Sequence, residues 1–226
     1  MFYSPLRYPG GKGKLTEFMK YMIDQLGHSG GTYIEPFAGG AGIAIELLIR
    51  GVVSRIVIND YDKGIWSFWK AVLTETDRFI ALLAVVPLTM EEWNRQRNIC
   101  LTRNNKYSFE LGFATFYMNR TNRSGIVKGG VIGGMDQSGS WKMDARFKRE
   151  DLIRRIESIA ERKSHIKLLD NNLSPILSRL SNNLPHAPRS YAGFSDFRSK
   201  KVKKVCDINL TYAGYGALCV RDSLPV

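Results

Sequence analysis

The sequence predicts an α/β fold: the opening half of a doubly wound nucleotide-binding sheet, interrupted by a mainly helical insertion and incomplete towards its C-terminus. Three observations carry this. Residues 33–60 run as strand, glycine-rich turn, helix, strand and acidic residue, the order of a nucleotide-binding α/β unit. Residues 65–160 change to helical spacing. Beyond Asn171 the periodicity fades into scattered Pro, Ser and Asn with a cluster of lysines.

Taken in order, KLTEFMKYMIDQLG (14–27) sets Leu15, Phe18, Met22 and Leu26 at helical spacing and stops at Gly27. Tyr33-Ile34 begin a short strand that the Pro-Phe-Ala-Gly-Gly turn ends. Ile43, Ile45, Leu47 and Leu48 belong to a helix finishing at Gly51, and RIVI (55–58) is a second strand ending in Asn59-Asp60. Helical stretches follow at 65–84, 89–100 and 106–118, around a segment rich in Asn, Arg and Gly. A basic helix, REDLIRRIESIAERK, places Leu152, Ile153, Ile156 and Ile159 on one face and leads into a third strand, HIKLLD. The predicted organisation is therefore a partial α/β domain from 1–64 and 161–175. A helical insertion occupies 65–160, with a hairpin or ordered loop near 119–134, and an atypical tail covers 176–226.

Composition narrows the function classes. With 226 residues, 44% of them apolar, the chain can bury a sizeable core. Its 33 Lys+Arg against 21 Asp+Glu leave a formal charge of +12, which suits a polyanionic partner, nucleic acid before an anionic membrane surface. Cys100, Cys206 and Cys219 form neither a disulfide framework nor a zinc knuckle, so a reducing cytoplasm is expected. No stretch reads as a signal peptide or a membrane span. His28, His165 and His186 are isolated, and no metal site is expected.

The turn in YIEPFAGGAGIAIELL (33–48) lacks the Gly-Lys-Ser/Thr ending of a P-loop and the G-x-G-x-x-G dinucleotide fingerprint. Glu35, at the end of the first strand, would repel a pyrophosphate and welcome a cation. Asp60, after the second strand, is placed to accept hydrogen bonds from ribose hydroxyls. S-adenosylmethionine, with a sulfonium, an ammonium and no phosphate, fits both acids.

Four ordered motifs make a resemblance specific. RYPGGKGKL (7–15), EPFAGGAG (35–42), INDYD (58–62) and FYMNRTNRSGI (116–126) resemble the motifs of Dam-type DNA adenine-N6 methyltransferases. GGVIGGMDQSGSWKMDARFKREDLIRRIESI is similar to one branch of that family. The resemblance covers about residues 4–170. It implies a Rossmann-like S-adenosylmethionine-dependent methyltransferase sheet with a DNA-recognition insertion, acting on double-stranded DNA in a restriction-modification or orphan setting. It also implies roles. Tyr8 would pack against the cofactor and Lys12 would reach its carboxylate. Phe37 and Gly39 would shape the turn, and Asp60 would bind ribose. Asp170 would lie near the adenine, although it equally fits a strand-end turn residue. Asn119, Arg120, Arg123, Ser124 and Lys128 would belong to a hairpin entering the duplex beside a flipped base. For Arg123 and Lys128, phosphate contact is the simpler expectation. Arg146, Lys148, Arg149, Arg154 and Arg155 would extend the basic surface.

One expected motif is missing. Adenine N6 is a poor nucleophile, and the family presents it through Asp-Pro-Pro-Tyr, whose Asp and first Pro carbonyl accept hydrogen bonds from the amine. No Asp-Pro-Pro or Asn-Pro-Pro occurs in the 226 residues. Two readings follow: an adenine-N6 methyltransferase by lineage, or a truncated or frameshifted, catalytically inactive DNA-binding remnant. An RNA methyltransferase is a third, against which the hairpin argues. Without its later strands the first strand is expected to expose an unpaired apolar edge, inviting self-association.

Overall fold

The structure, a computed structural model, describes residues 3–7, 15–102 and 106–170 and the backbone of strand 218–220. It is a mixture of helices and a mainly parallel sheet. Helix α1 (Thr16–Gln25) precedes strand β1 (Thr32–Glu35), helix α2 (Gly42–Ile49) and strand β2 (Arg55–Ile58). Five helices follow: α3 (Lys63–Thr74), α4 (Thr76–Val85), α5 (Met90–Leu101), α6 (Phe109–Thr121) and α7 (Arg149–Ala160). The chain then enters strand β3 (Ile166–Leu168), and β4 (Leu218–Val220) comes from the tail. Each element expected up to residue 170 is present, with one division: the 65–84 stretch breaks at Glu75, which leaves helical geometry at φ −131°, ψ 41° and separates α3 from α4.

The sheet order is β3-β2-β1-β4. β1 pairs parallel with β2, Glu35 opposite Ile58, and β2 pairs parallel with β3, Ile58 opposite Leu168. This register brings the carboxyl ends of three strands to one edge, where ligands of open α/β sheets bind. The far side of β1, expected to be bare, is not: Leu218–Val220 pairs with it antiparallel, Thr32 opposite Val220. The β1 edge therefore has a paired neighbour over Thr32–Ile34. The rest of the 176–226 tail lies outside the described residues.

The helical part closes around α6. Every residue of this helix except Glu110 is buried. Phe68, Phe79, Phe113 and Phe116 meet with ring centroids 5.2–6.1 Å apart, the distance range of favourable aromatic pairs. Gly112 explains how α6 comes so close to α3: a Cβ there would stand 2.6 Å from the carbonyl oxygen of Ser67. Side chains start the helices in the expected way. Asp62 accepts from the Gly64 and Ile65 N–H groups at 2.8 and 3.2 Å, Thr89 from Glu92 N–H, and Ser108 from Leu111 N–H.

Candidate functional site

The glycine turn is held from the neighbouring strand. Gly39 and Ala41 have left-handed backbones, φ 49° and 46°, so Ala41 sits where glycine is the ordinary choice. Two contacts tie the turn to the end of β2: Ala38 N–H donates to Asn59 O at 2.8 Å, and Gly39 N–H donates to Asp60 Oδ2 at 2.7 Å. Asp60 Oδ1 accepts Asp62 N–H at 2.9 Å, and Trp69 Nε1 donates to Gly39 O at 2.9 Å. Asp60 thus has a structural task as well as the ribose role expected of it. A carboxylate offers roughly four acceptor sites, enough for both.

Around this turn the sheet edge is rich in acceptors. Glu35 is almost wholly buried at the end of β1. Asn59, also buried, donates from Nδ2 to Pro36 O at 3.1 Å, while its Oδ1 has no hydrogen-bond partner. Phe37 is 44% exposed on the rim. Asp170 is exposed at the end of β3, 3.5 Å from Lys63 Nζ. Its position is set by two bonds to Leu169: N–H to Ile58 O at 3.0 Å, and Leu169 O accepting Trp66 Nε1 at 2.7 Å. Glu35, Phe37, Gly39, Asp60 and Asp170 therefore share one edge. Tyr8 and Lys12 lie outside the described residues. Acids plus an orphaned buried amide oxygen fit a cationic ligand bearing hydroxyl and amino donors, as S-adenosylmethionine does. Among the described residues no group of three or more His, Cys, Asp or Glu could hold a metal ion.

Sequence reasoning passed over Asn59, Trp66 and Trp69. Asn59 had a visible signal, since it directly precedes Asp60 in INDYD. The two tryptophans had none, because helical spacing marks them as core and hides their indole N–H groups.

The expected hairpin is an ordered loop. Asn122 and Val131 form a single antiparallel bridge, flanked by Arg123 N–H to Gly130 O at 3.0 Å and Ile132 N–H to Thr121 O at 2.9 Å. Asn122, fully buried and not anticipated, organises the loop. Its Nδ2 donates to the carbonyls of Ile126, Val127 and Gly129, each at 3.0 Å, and its Oδ1 accepts Trp93 Nε1 at 2.8 Å. Arg123, Ser124 and Lys128 are exposed on the loop, Ser124 in the left-handed region at φ 53°.

Asn119 and Arg120 sit apart from the exposed side chains of the loop. Both belong to the last turn of α6 and point inward, 1% and 8% exposed. Asn119 bonds to the backbone of Arg7, and Arg120 Nε donates to Pro5 O at 2.6 Å. Burial first, then the nearby Arg155 and Arg7, push the Arg120 guanidinium down to about 9. The broader basic surface divides in the same way. Arg149 donates to the carbonyls of Leu83 and Val86, and Arg155 to Ser4 O and to Asp151. Arg146, Lys148 and Arg154 remain exposed.

A family model described as D12 class N6 adenine-specific DNA methyltransferase matches residues 8–165, more than two thirds of the chain. No curated protein matches it. Among the described residues no helix is long and apolar enough to cross a membrane.

Proposed function

The chain belongs to the family of D12 class N6 adenine-specific DNA methyltransferases, and from that premise we propose its site-specific action on duplex DNA. The reading is transfer of a methyl group from S-adenosylmethionine to adenine N6, in a cytoplasmic restriction-modification or orphan setting. Residues 1–64 and 161–175 would form a partial Rossmann-like cofactor domain, and residues 65–160 the DNA-recognition domain.

The observation that supports it best is the convergence of Glu35, Asn59, Asp60 and Asp170 on the carboxyl edge of three parallel strands. In this reading Asp60 keeps the glycine turn shaped and accepts the ribose hydroxyls, Phe37 covers an apolar part of the ligand, and Glu35 faces its cationic end. S-adenosylmethionine would supply an electrophilic methyl on sulfur; the amine nitrogen forms the new C–N bond as the methyl C–S bond breaks, S-adenosylhomocysteine leaves with the electron pair, and the nitrogen then releases a proton. Arg123, Ser124 and Lys128 would meet DNA from the loop, with Arg123 and Lys128 on phosphate.

The missing Asp-Pro-Pro-Tyr supports a second reading, a protein that binds DNA without methylating it. One assay separates the two. The protein is incubated with tritium-labelled S-adenosylmethionine and unmethylated duplex DNA, and duplex binding is measured in parallel. Label on adenine N6 above background establishes the enzyme. Duplex binding without label establishes the non-catalytic reading, and absence of both sinks each.

A further inference from the structure

The N-terminal segment 4–7 lies between the glycine turn and the nucleic-acid loop, and both sides hold it by specific bonds. On the turn side, the Ser4 hydroxyl donates to Gly40 O. The approach is close enough that a Cβ on Gly40 would stand 3.1 Å from Ser4 Oγ. On the helical side, Arg155 Nη1 donates to Ser4 O at 3.0 Å and Arg120 Nε to Pro5 O at 2.6 Å. Asn119 grips the next residue by both its backbone groups. Its Oδ1 accepts Arg7 N–H at 2.7 Å, and its Nδ2 donates to Arg7 O at 2.6 Å.

The same Nδ2 donates to Gly125 O, inside the loop, at 2.8 Å. Gly125 is left-handed, φ 74°, and a Cβ on it would meet Arg7 O at 2.6 Å. Arg7 Nη1 adds a bond to Asn122 O at 3.2 Å. One buried amide therefore joins the loop to the strap, and the strap's other end rests on the turn.

We propose that Asn119 is a positioning residue that couples the two ligands: DNA seated on loop 122–131 and cofactor seated on the glycine turn each favour one placement of the strap. The inference rests on the functional reading above, because it needs both ligands. Coupling of this kind is reciprocal, so duplex DNA tightens cofactor binding by the factor with which cofactor tightens DNA binding.

The test measures binding of S-adenosylhomocysteine by calorimetry, with and without saturating duplex DNA. The full chain and the variants Asn119→Ala, Asn119→Asp and Ser4→Ala are compared. In the unmodified protein the expected tightening is about 5- to 150-fold, the usual range of allosteric coupling. Asn119→Ala is expected to bring the factor below about twofold. Ser4→Ala cuts the strap from the turn without touching α6 and should reduce the same factor, which keeps the test valid if Asn119→Ala folds poorly. Asn119→Asp keeps the acceptor for Arg7 N–H but loses both donated bonds, so it should resemble Asn119→Ala. A purely structural role would lower both affinities and leave their ratio unchanged; that result overturns the inference. So does a ratio of one in the unmodified protein when both ligands bind. If neither ligand binds the unmodified protein, the functional reading falls and this inference with it.

Discussion

The sheet edge and the helical insertion are built on opposite terms. In the insertion, buried aromatic rings pack together around α6, with Phe116 meeting Phe68, Phe79, Phe113 and Phe147. At the sheet edge the strands are three or four residues long, and the groups that end them are acids and an amide. The first region is shaped by apolar burial and tolerates little change of volume. The second is held by a handful of hydrogen bonds to backbone. Stability should therefore reside mainly in the insertion and ligand chemistry mainly in the edge, and substitutions in the two regions should fail in different ways.

The largest expected effect is on the insertion. Phe116→Ala removes a fully buried ring from the centre of the cluster and should cost about 3–5 kcal/mol in chemical denaturation. A loss below about 1 kcal/mol would show that the insertion does not anchor the fold, and the contrast between the regions would collapse.

Asn122→Ala tests the point where the two designs meet, a polar residue inside the apolar part. It strands the indole N–H of Trp93 and three loop carbonyls, at about 1–3 kcal/mol for each group left buried without a partner. The carbonyls can reach water once the loop opens, so the total should stay near that of one group. Hydrogen exchange should show the damage confined to residues 122–131, with duplex affinity lowered and S-adenosylhomocysteine affinity lowered less. Uniform loss of protection over α3 and α6 would mean that Asn122 belongs to the core rather than to the loop.

Asn119, Arg120 and Asn122 also mark where sequence reading stopped working. The strand–turn–helix–strand order was legible because short apolar β-rich runs and a glycine turn leave local signals, as in TYIE, AGGAG and RIVI. The acids Glu35 and Asp60 were legible because they terminate those strands. The polar end of α6 was not. FELGFATFYM has Glu110 as its one charged residue, so it carries almost no period that tells inward from outward. A basic, amide-rich sequence directly after it looks like a surface. The helix in fact continues through Thr121, and its last polar residues stay inside, satisfied by the backbone of a segment more than 110 residues away. Partners so distant in sequence leave no local trace. β4 escaped for a similar reason: LCV is too short to stand out from the tail around it.

At the sheet edge the effect on stability should be smaller and the effect on ligand larger. Asp60→Ala removes the acceptor of two backbone N–H groups, Gly39 and Asp62. A net hydrogen bond is worth about 1 kcal/mol, so losing the two should cost about 1–2 kcal/mol. Binding of S-adenosylhomocysteine should weaken at least about tenfold, because the turn and the ribose acceptor are lost together. A variant with the original affinity would take Asp60 out of the cofactor site and leave it as a turn brace only.

The smallest expected change in folding comes from Lys128→Ala, and it sharpens the contrast most. Lys128 is exposed on loop 122–131, and among the described residues no hydrogen bond or ion pair of its side chain braces that loop, so the denaturation midpoint should not move. Its effect should appear only in the salt dependence of DNA binding. Each phosphate neutralised by a side chain contributes about one to the slope of log affinity against log salt, so removing one contact should lower that slope by about 1. If Lys128 instead reads a base edge, the variant should lose discrimination between sequences while keeping its slope. An unchanged slope together with unchanged discrimination would remove Lys128 from the DNA interface. Arg123, exposed on the same loop, would then be the next side chain to take through the same titration.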